Sequence, residues 1–235
     1  MSDSASTAFQ IGTAKREMTP YIPGIGMMGF AMHFHVVHDV DMPVFARAIV
    51  FNNGESKLAI VHADIAFITL YIRKRVLQEL EEKHAELGYN EQNLMLTATH
   101  THSAPGGYSE YALYNIQIAG FSKPVAETYV KGIVDALVAA DASQQPANLR
   151  VGSDSFAEDT PVAFNRAWEA YSANEDTENI DHANWHLAVD REMLQLSAHR
   201  EDGSPMALVN WFAVHTTSAH NDKRAISTDN KGWAA

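Results

Sequence analysis

The stretch VFARAIVFNNGESKLAIVHAD, residues 44–64, decides the fold. Two runs rich in apolar and β-branched side chains, 44–51 and 57–64, flank the sequence Asn52-Asn53-Gly54-Glu55. An Asn-Gly pair between two such runs is a strong signal of a β-hairpin, because both residues tolerate the positive φ angles of tight hairpin turns. The chain is therefore predicted to contain an antiparallel strand pair here.

Helical and strand patterns follow the hairpin along the chain. Residues 68–87 carry apolar side chains at roughly helical spacing before Gly88, a typical C-terminal cap, and Pro124 is well placed to open a second helix that runs to about Ala142. Apolar runs predict further strands at 93–98, 149–152, 193–198 and 207–214, the last two around an Asp202-Gly203 turn. The order predicts an α/β fold whose mixed β-sheet core is covered by helices. The polar residues 153–190 are predicted to be a long functional loop.

Composition limits the classes of function. The formal net charge of −12 repels phosphate backbones, which argues against a nucleic-acid partner. The chain has no cysteine, so a transition-metal site must use His, Asp, Glu or Tyr. Residues 1–10 are polar and are predicted to be a flexible N-terminus. No signal peptide or transmembrane run is visible, so the expected location is cytoplasmic, or secreted or periplasmic if this N-terminus is not native.

Histidines follow two of the predicted strands. His100 and His102 come directly after the strand that ends at Ala98, and residues two apart in an extended chain face the same side. The pair is either part of a metal site at the end of the strand or two hydrogen-bonded surface histidines. His215 follows a second strand, and zinc commonly takes two or three imidazoles plus a carboxylate. For His220, five residues later, an exposed loop position is the favoured interpretation.

Other polar residues are open to two interpretations each. The cluster of His33, His35 and His38 is either a metal site or, with its irregular spacing, a polar loop near an entrance. Asp64 would orient a ligand histidine or cap the following helix. Arg166 would offer its fixed donors to an oxyanion, or would be a surface charge.

Six motifs in order give the chain a resemblance to the neutral/alkaline non-lysosomal ceramidases. The motifs are GIGMMGFA (24–31), ARA (46–48), ATHTHSAPGGY (98–108), NR (165–166), NWFAVHTTS (210–218) and STDNKG (227–232). The resemblance implies hydrolysis of the N-acyl amide bond of ceramide to sphingosine and a fatty acid. It also implies a bound Zn²⁺, a lipid substrate and transient contact with a membrane surface.

The same resemblance assigns roles to individual residues. His100 and His215 would be zinc ligands, and His102 and Arg166 would be catalytic residues that contact the substrate or the developing oxyanion. Residues 11–235 would be the N-terminal part of a zinc hydrolase domain truncated at its C-terminus. The family's remaining zinc ligands, a Glu and a Tyr, and an essential serine are expected beyond Ala235. The catalytic domain is therefore expected to be incomplete, and this chain alone is not expected to be an active ceramidase.

Two alternatives to ceramide hydrolysis stay open. The first is a zinc hydrolase of another N-acyl lipid, amide or ester. The second is an inactive fragment that keeps a partial metal site.

Overall fold

The computed structural model describes residues 9–175, 177 and 180–235, which form two compact units. The larger unit comprises the residues up to Ala147 together with Thr216–Ala235, and the smaller unit is Asn148–His215. The strands are β1 (Phe9–Glu17), β2 (Asp39–Val40), β3 (Phe45–Asn52), β4 (Lys57–Ala63), β5 (Leu94–Ala98), β6 (Gln145–Ser155), β7 (Glu192–Arg200), β8 (Pro205–Phe212) and β9 (Ala225–Ile226). The α-helices are α1 (Leu70–Lys83), α2 (Lys123–Ala142), α3 (Trp168–Ser172) and α4 (Asp229–Ala234), and 3₁₀ helices cover Ala85–Leu87, Ala112–Ile118 and Trp185–Leu187.

The larger unit contains a mixed sheet with the strand order β5-β4-β3-β1-β6. Strands β3 and β4 form the predicted antiparallel hairpin, and the side chain of Asn53 accepts hydrogen bonds from the amides of Glu55 and Ser56 in its turn. Strand β5 runs parallel to β4, since α1 carries the chain back between them. The predicted α/β class with a mixed, helix-covered sheet is confirmed.

Helix α2 packs on β1 and β3 and builds the core of the larger unit. Its residues Val125, Tyr129, Ile133 and Leu137 recur every four positions and are all fully buried. This spacing puts them on one face of the helix. Helix α1 begins at Leu70, two residues after the predicted start, and ends at Lys83, and a 3₁₀ turn at Ala85–Leu87 completes the predicted helical range.

Strand β1 was absent from the sequence-based prediction. It begins at Phe9, so the last two residues of the predicted flexible N-terminus belong to a strand, while residues 1–8 lie outside the described part of the chain. The strand lacks a large apolar run because it lies close to α2. A Cβ on Gly12 would be 1.9 Å from the carbonyl oxygen of Ala140, so only glycine fits there.

The smaller unit has the strand order β6-β7-β8, and β7 and β8 form an antiparallel hairpin around the predicted Asp202-Gly203 turn. Strand β6 is longer than the predicted 149–152 and extends into the predicted loop 153–190, which also contains α3 and the 3₁₀ turn Trp185–Leu187. Three residues of that loop, at 176, 178 and 179, lie outside the description. No helix in the described part of the chain has the length and apolar composition that a membrane crossing requires.

Candidate functional site

His100 and His102 lie directly after β5, and their rings meet. The two Nε2 atoms are 3.2 Å apart, and the ring centroids are 4.8 Å apart at an interplanar angle of 83°. The predicted pairing of the two rings is confirmed, but the predicted reason is wrong. His100 has φ of 65°, a left-handed conformation, so the chain is no longer extended at this point.

The ring of His100 has a defined tautomer. Its Nδ1 lies 2.5 Å from the carbonyl oxygen of Ala66, and a carbonyl can only accept a hydrogen bond. Nδ1 therefore carries a proton, and in the neutral ring Nε2 presents its lone pair. A histidine that ligates a metal through one nitrogen commonly donates the other N–H to a carbonyl in this way.

The distance between the two histidines also suits a metal. Zinc–nitrogen bonds of about 2.0–2.1 Å in a tetrahedral shell place two ligand nitrogens roughly 3.3 Å apart. The observed 3.2 Å between the two Nε2 atoms is equally suited to a hydrogen bond between the rings. The pair alone therefore fits zinc without deciding whether His102 is a ligand or a neighbour of one.

His102 is 7% exposed and is packed tightly. The ring of Phe30 meets it edge to face with the centroids 4.7 Å apart. The backbone of Gly29 packs closely against the imidazole of His102, since a Cβ on Gly29 would be 2.3 Å from Cγ of His102. The glycine-rich segment GIGMMGFA thus forms part of the wall around this histidine, a role that its sequence alone did not reveal.

His215 is the last residue of the smaller unit, and one peptide bond joins it to Thr216 of the larger unit. Thr216 is fully buried, and its hydroxyl donates a hydrogen bond of 2.5 Å to the carbonyl of Thr99, the residue before His100. His215 therefore directly precedes a residue whose side chain is hydrogen-bonded to the backbone of Thr99, next to His100. His100, His102 and His215 are a group that could hold a metal ion.

The cluster at residues 33–38 does not form a comparable group. His33 and His38 are exposed, whereas His35 is fully buried and packs edge to face on Phe30, with the centroids 5.3 Å apart. Burial lowers the pKa of His35, which favours the neutral ring. In the described part of the chain, His100, His102 and His215 are the one set of three or more such side chains placed to hold a metal.

The interpretation of Asp64 as a helix cap is wrong, and its role in orienting a ligand histidine stays a prediction. Its carboxylate is fully buried and accepts hydrogen bonds from Nη1 of Arg47 at 2.8 Å and the amide of Phe45 at 2.9 Å. Burial raises the pKa of Asp64, an effect that Arg47 opposes. The cap of α1 is Thr69 instead, whose hydroxyl accepts from the amide of Ile72.

The neighbouring His62 is a largely buried neutral histidine. Its Nδ1 lies 2.8 Å from the hydroxyl oxygen of Thr97. Burial, together with the charges of Arg47 and Lys231, lowers the pKa of His62 to about 4. It therefore stays uncharged at neutral pH.

Arg166 is exposed in the turn before α3, in the smaller unit. The side chain of Asn165 shapes this turn, since it donates to the carbonyl of Ala188 and accepts from the amide of Ala167. The catalytic role of Arg166 stays a prediction. His220 is an exposed residue of a turn closed by a hydrogen bond from the amide of Lys223 to its carbonyl, which confirms the loop interpretation.

The family described as "Neutral/alkaline non-lysosomal ceramidase, N-terminal" matches residues 9–235. The chain belongs to this family. Neutral ceramidase A of Dictyostelium discoideum is 36% identical over 233 residues, which are 99% of this chain and 32% of that protein. Neutral ceramidase of Pseudomonas aeruginosa is 33% identical over 229 residues, which are 97% of this chain and 33% of that protein.

Solved ceramidase structures share the fold. "Crystal Structure Analysis of neutral ceramidase from Pseudomonas aeruginosa" matches with a TM-score of 0.88 at 33% identity, covering 97% of this chain and 35% of that chain. "Ceramidase complexed with C2" matches with the same TM-score and covers 34% of that chain. This chain therefore spans about a third of the length of the relatives it matches. The ceramidase resemblance carried by the six motifs is confirmed.

Proposed function

We propose that this chain belongs to a zinc-dependent amide hydrolase that cleaves the N-acyl bond of ceramide to give sphingosine and a fatty acid. The observation that carries the proposal is the pair His100 and His102, with Nε2 atoms 3.2 Å apart, in a chain of the ceramidase family. The names of the relatives indicate the substrate, which is a lipid amide.

In this proposal His100 and His215 hold the metal. His100 would bind through Nε2, because its Nδ1 proton is directed to the carbonyl of Ala66. A zinc ion held there supplies the Lewis acidity that activates water and polarises a carbonyl. Two histidines fill half of a four-coordinate shell, so further ligands are needed.

His102 and Arg166 are proposed to act on the substrate. His102 is buried, so a hydrogen bond from its ring to a developing oxyanion would form away from bulk water, where such bonds stabilise charge most strongly. Arg166 is exposed, and its guanidinium would supply further donors to the same charge or to the polar end of the lipid.

Single-residue variants test these assignments. His100→Ala and His215→Ala should abolish stoichiometric zinc, measured by elemental analysis of the full-length natural protein after dialysis, because each removes a ligand. His102→Ala and Arg166→Ala should keep the zinc and lower fatty-acid release from a fluorescent short-chain ceramide by about 100- to 1000-fold in the full-length natural protein.

His220→Ala is the matched control for these variants. It removes an exposed histidine of a nearby turn and should change neither the zinc content nor the rate. Undiminished zinc in both His100→Ala and His215→Ala would refute the metal assignment. Loss of zinc in His102→Ala would make His102 a third ligand instead of a group that contacts the substrate.

The substrate itself needs a separate measurement. A panel of a short-chain ceramide, an N-acylethanolamine and a simple carboxylic ester separates a ceramidase from a hydrolase of another N-acyl lipid, amide or ester. We expect the highest kcat/KM for ceramide. Zinc-loaded protein that hydrolyses none of the three would support the inactive alternative.

We also propose that the 3₁₀ helix Ala112–Ile118 makes the transient contact with a lipid surface. Its Leu113 and Ile116 are 70% and 68% exposed, while Asn115 and Ile118 on the other face are buried. Exposed apolar side chains on a short amphipathic segment favour the interface of a bilayer.

Co-sedimentation with phosphatidylcholine vesicles tests this contact. Neutral lipid is the appropriate probe because the formal net charge of −12 disfavours anionic lipid. The double variant Leu113→Ser/Ile116→Ser should lower the bound fraction. Val151→Ser, at an exposed apolar residue of β6 in the smaller unit, should leave the bound fraction unchanged. Equal binding by both variants would refute the assignment.

A further inference from the structure

A short buried segment, Ser227–Asp229, holds the chain on both sides of His102. The hydroxyl of Thr101 donates a hydrogen bond of 2.7 Å to the carbonyl of Ser227, and the amide of Ser227 donates one of 2.8 Å to the carbonyl of Ser103. Thr101 and Ser103 are both fully buried. The residues that flank His102 are thus tied to one residue that lies more than 120 positions later in the chain.

The same segment binds the chain just after His215. The carboxylate of Asp229 accepts a hydrogen bond of 3.0 Å from the amide of Ser218 through Oδ1 and one of 2.9 Å from the amide of Ala219 through Oδ2. These amides lie three and four residues after His215. Together with the bond from Thr216 to Thr99, they fix the backbone that follows this histidine.

Asp229 is held in a conformation that carries a cost. Its φ of 57° is left-handed, which costs a non-glycine residue about 1–2 kcal/mol. The residue is 3% exposed, so the carboxylate is also removed from water. Hydrogen bonds from backbone amides to an ionised carboxylate are roughly twice as strong as neutral ones, and they offset these costs.

We propose that Ser227–Asp229 is a clamp that positions the two proposed zinc ligands, with Asp229 as a positioning residue for His215 and the backbone of Ser227, through Thr101, as a positioning group for His100. The inference rests on the proposed metal site but adds residues that do not touch the metal. Loss of a group hydrogen-bonded to a ligand side chain typically lowers metal affinity by about 10- to 100-fold, and we expect a similar effect from groups that hold the chain next to the ligands. The clamp should therefore control the Kd for zinc without changing the number of zinc ions bound.

Zinc titration of the full-length natural protein tests the clamp, with cobalt as a visible probe of ligand geometry. Asp229→Asn keeps the size of the side chain but turns one acceptor into a donor that faces an amide N–H. Thr101→Val removes the hydroxyl that binds Ser227. We expect each variant to raise the Kd by about 10- to 100-fold and to change the cobalt absorption band.

Two controls separate positioning from general damage. Thr101→Ser keeps the hydroxyl and should bind zinc within about threefold of wild type. Asp222→Asn changes an exposed carboxylate of the same region and should have no effect. Circular dichroism identifies a variant that fails to fold, and if Asp229→Asn is such a variant, Thr101→Val and Thr101→Ser decide the question.

The outcomes distinguish this inference from the proposed function. Wild-type zinc binding with an unchanged Kd in both Asp229→Asn and Thr101→Val would overturn the clamp alone. A wild-type full-length protein that binds no zinc would overturn the proposed metal site and the clamp with it. A raised Kd in Thr101→Ser equal to that of Thr101→Val would also overturn the clamp, because the hydroxyl would then not be the group that matters.

Discussion

Gly29→Ala is expected to disturb His102 directly. A Cβ built on Gly29 would be 2.3 Å from Cγ of His102 and 2.7 Å from its Cβ. Carbon atoms in contact prefer a separation of about 3.5–4.0 Å, so the imidazole and the added methyl group must move apart by about 1 Å or more. The backbone of Gly29, with φ of 140°, is also one that alanine rarely adopts.

The magnitude follows from comparison with Gly24→Ala. Gly24 lies in the same glycine-rich segment and has φ of 84°, but nothing lies within 4 Å of its added Cβ. Gly24→Ala should therefore lose only about 1–2 kcal/mol of unfolding free energy, from backbone strain. Gly29→Ala should lose about 1–3 kcal/mol more, because it also crowds a packed side chain.

Urea unfolding of both variants measures this difference. In the full-length natural protein, a displacement of His102 by about 1 Å should further lower the rate of ceramide hydrolysis by about 100-fold, with Gly24→Ala close to wild type. Equal losses of stability in the two variants, together with rates within a few-fold of each other, would refute the packing of Gly29 against His102 and its catalytic relevance.

Three further predictions concern stability. His62 has a pKa of about 4 when folded and about 6.5 when unfolded, so between these values the unfolded chain binds one more proton than the folded chain. The free energy of unfolding should therefore fall by up to about 3 kcal/mol as the pH drops from 6.5 to 4. Denaturant titration at several pH values checks this, and His62→Gln should make the free energy of unfolding depend less on pH between 4 and 6.5. Asp64→Asn should lower the free energy of unfolding by about 3–5 kcal/mol, because it leaves the charge of Arg47 without its partner. Lys131→Ala removes an exposed ion pair with Asp135 and should lower it by less than about 1 kcal/mol in the same assay. Thr69→Ala removes the cap of α1 and should lower the free energy of unfolding by about 1–2 kcal/mol. Thermal unfolding measures this loss, and Thr69→Ser, which keeps the hydroxyl, should be close to wild type.

Local sequence patterns predicted the regular elements well. The Asn-Gly turn, the apolar spacing of the two long helices and the Asp-Gly turn each depend on interactions within a few residues, and each prediction is confirmed by the structure. Strand β1 was missed because close packing against α2 selects Gly12 and Ala14 there, and these small residues carry no strand signal. Tertiary packing overrode local propensity at this strand.

The surroundings of the candidate site depend on contacts that no local pattern encodes. The position of His100 and His102 after a strand was visible in the sequence, but the tautomer of His100 is set by the carbonyl of Ala66, 34 residues earlier. The bond from Thr101 to Ser227 spans 126 residues. Only the resemblance to a family drew attention to residues 227–232, and it did so without stating what they do.

Backbone strain in the described part of the chain is concentrated around the histidine pair. Four non-glycine residues there have positive φ angles: Ala31, His100, Ala119 and Asp229. His100 is a proposed ligand, Asp229 anchors the clamp, and Ala31 follows the phenylalanine that packs on His102. Such conformations cost about 1–3 kcal/mol each and persist only where surrounding contacts over-determine them. His100 adopts the left-handed conformation while its Nε2 lies 3.2 Å from Nε2 of His102. If His100 is a zinc ligand as proposed, this strain is a cost of placing it, which the buried hydrogen bonds of Ser227 and Asp229 offset.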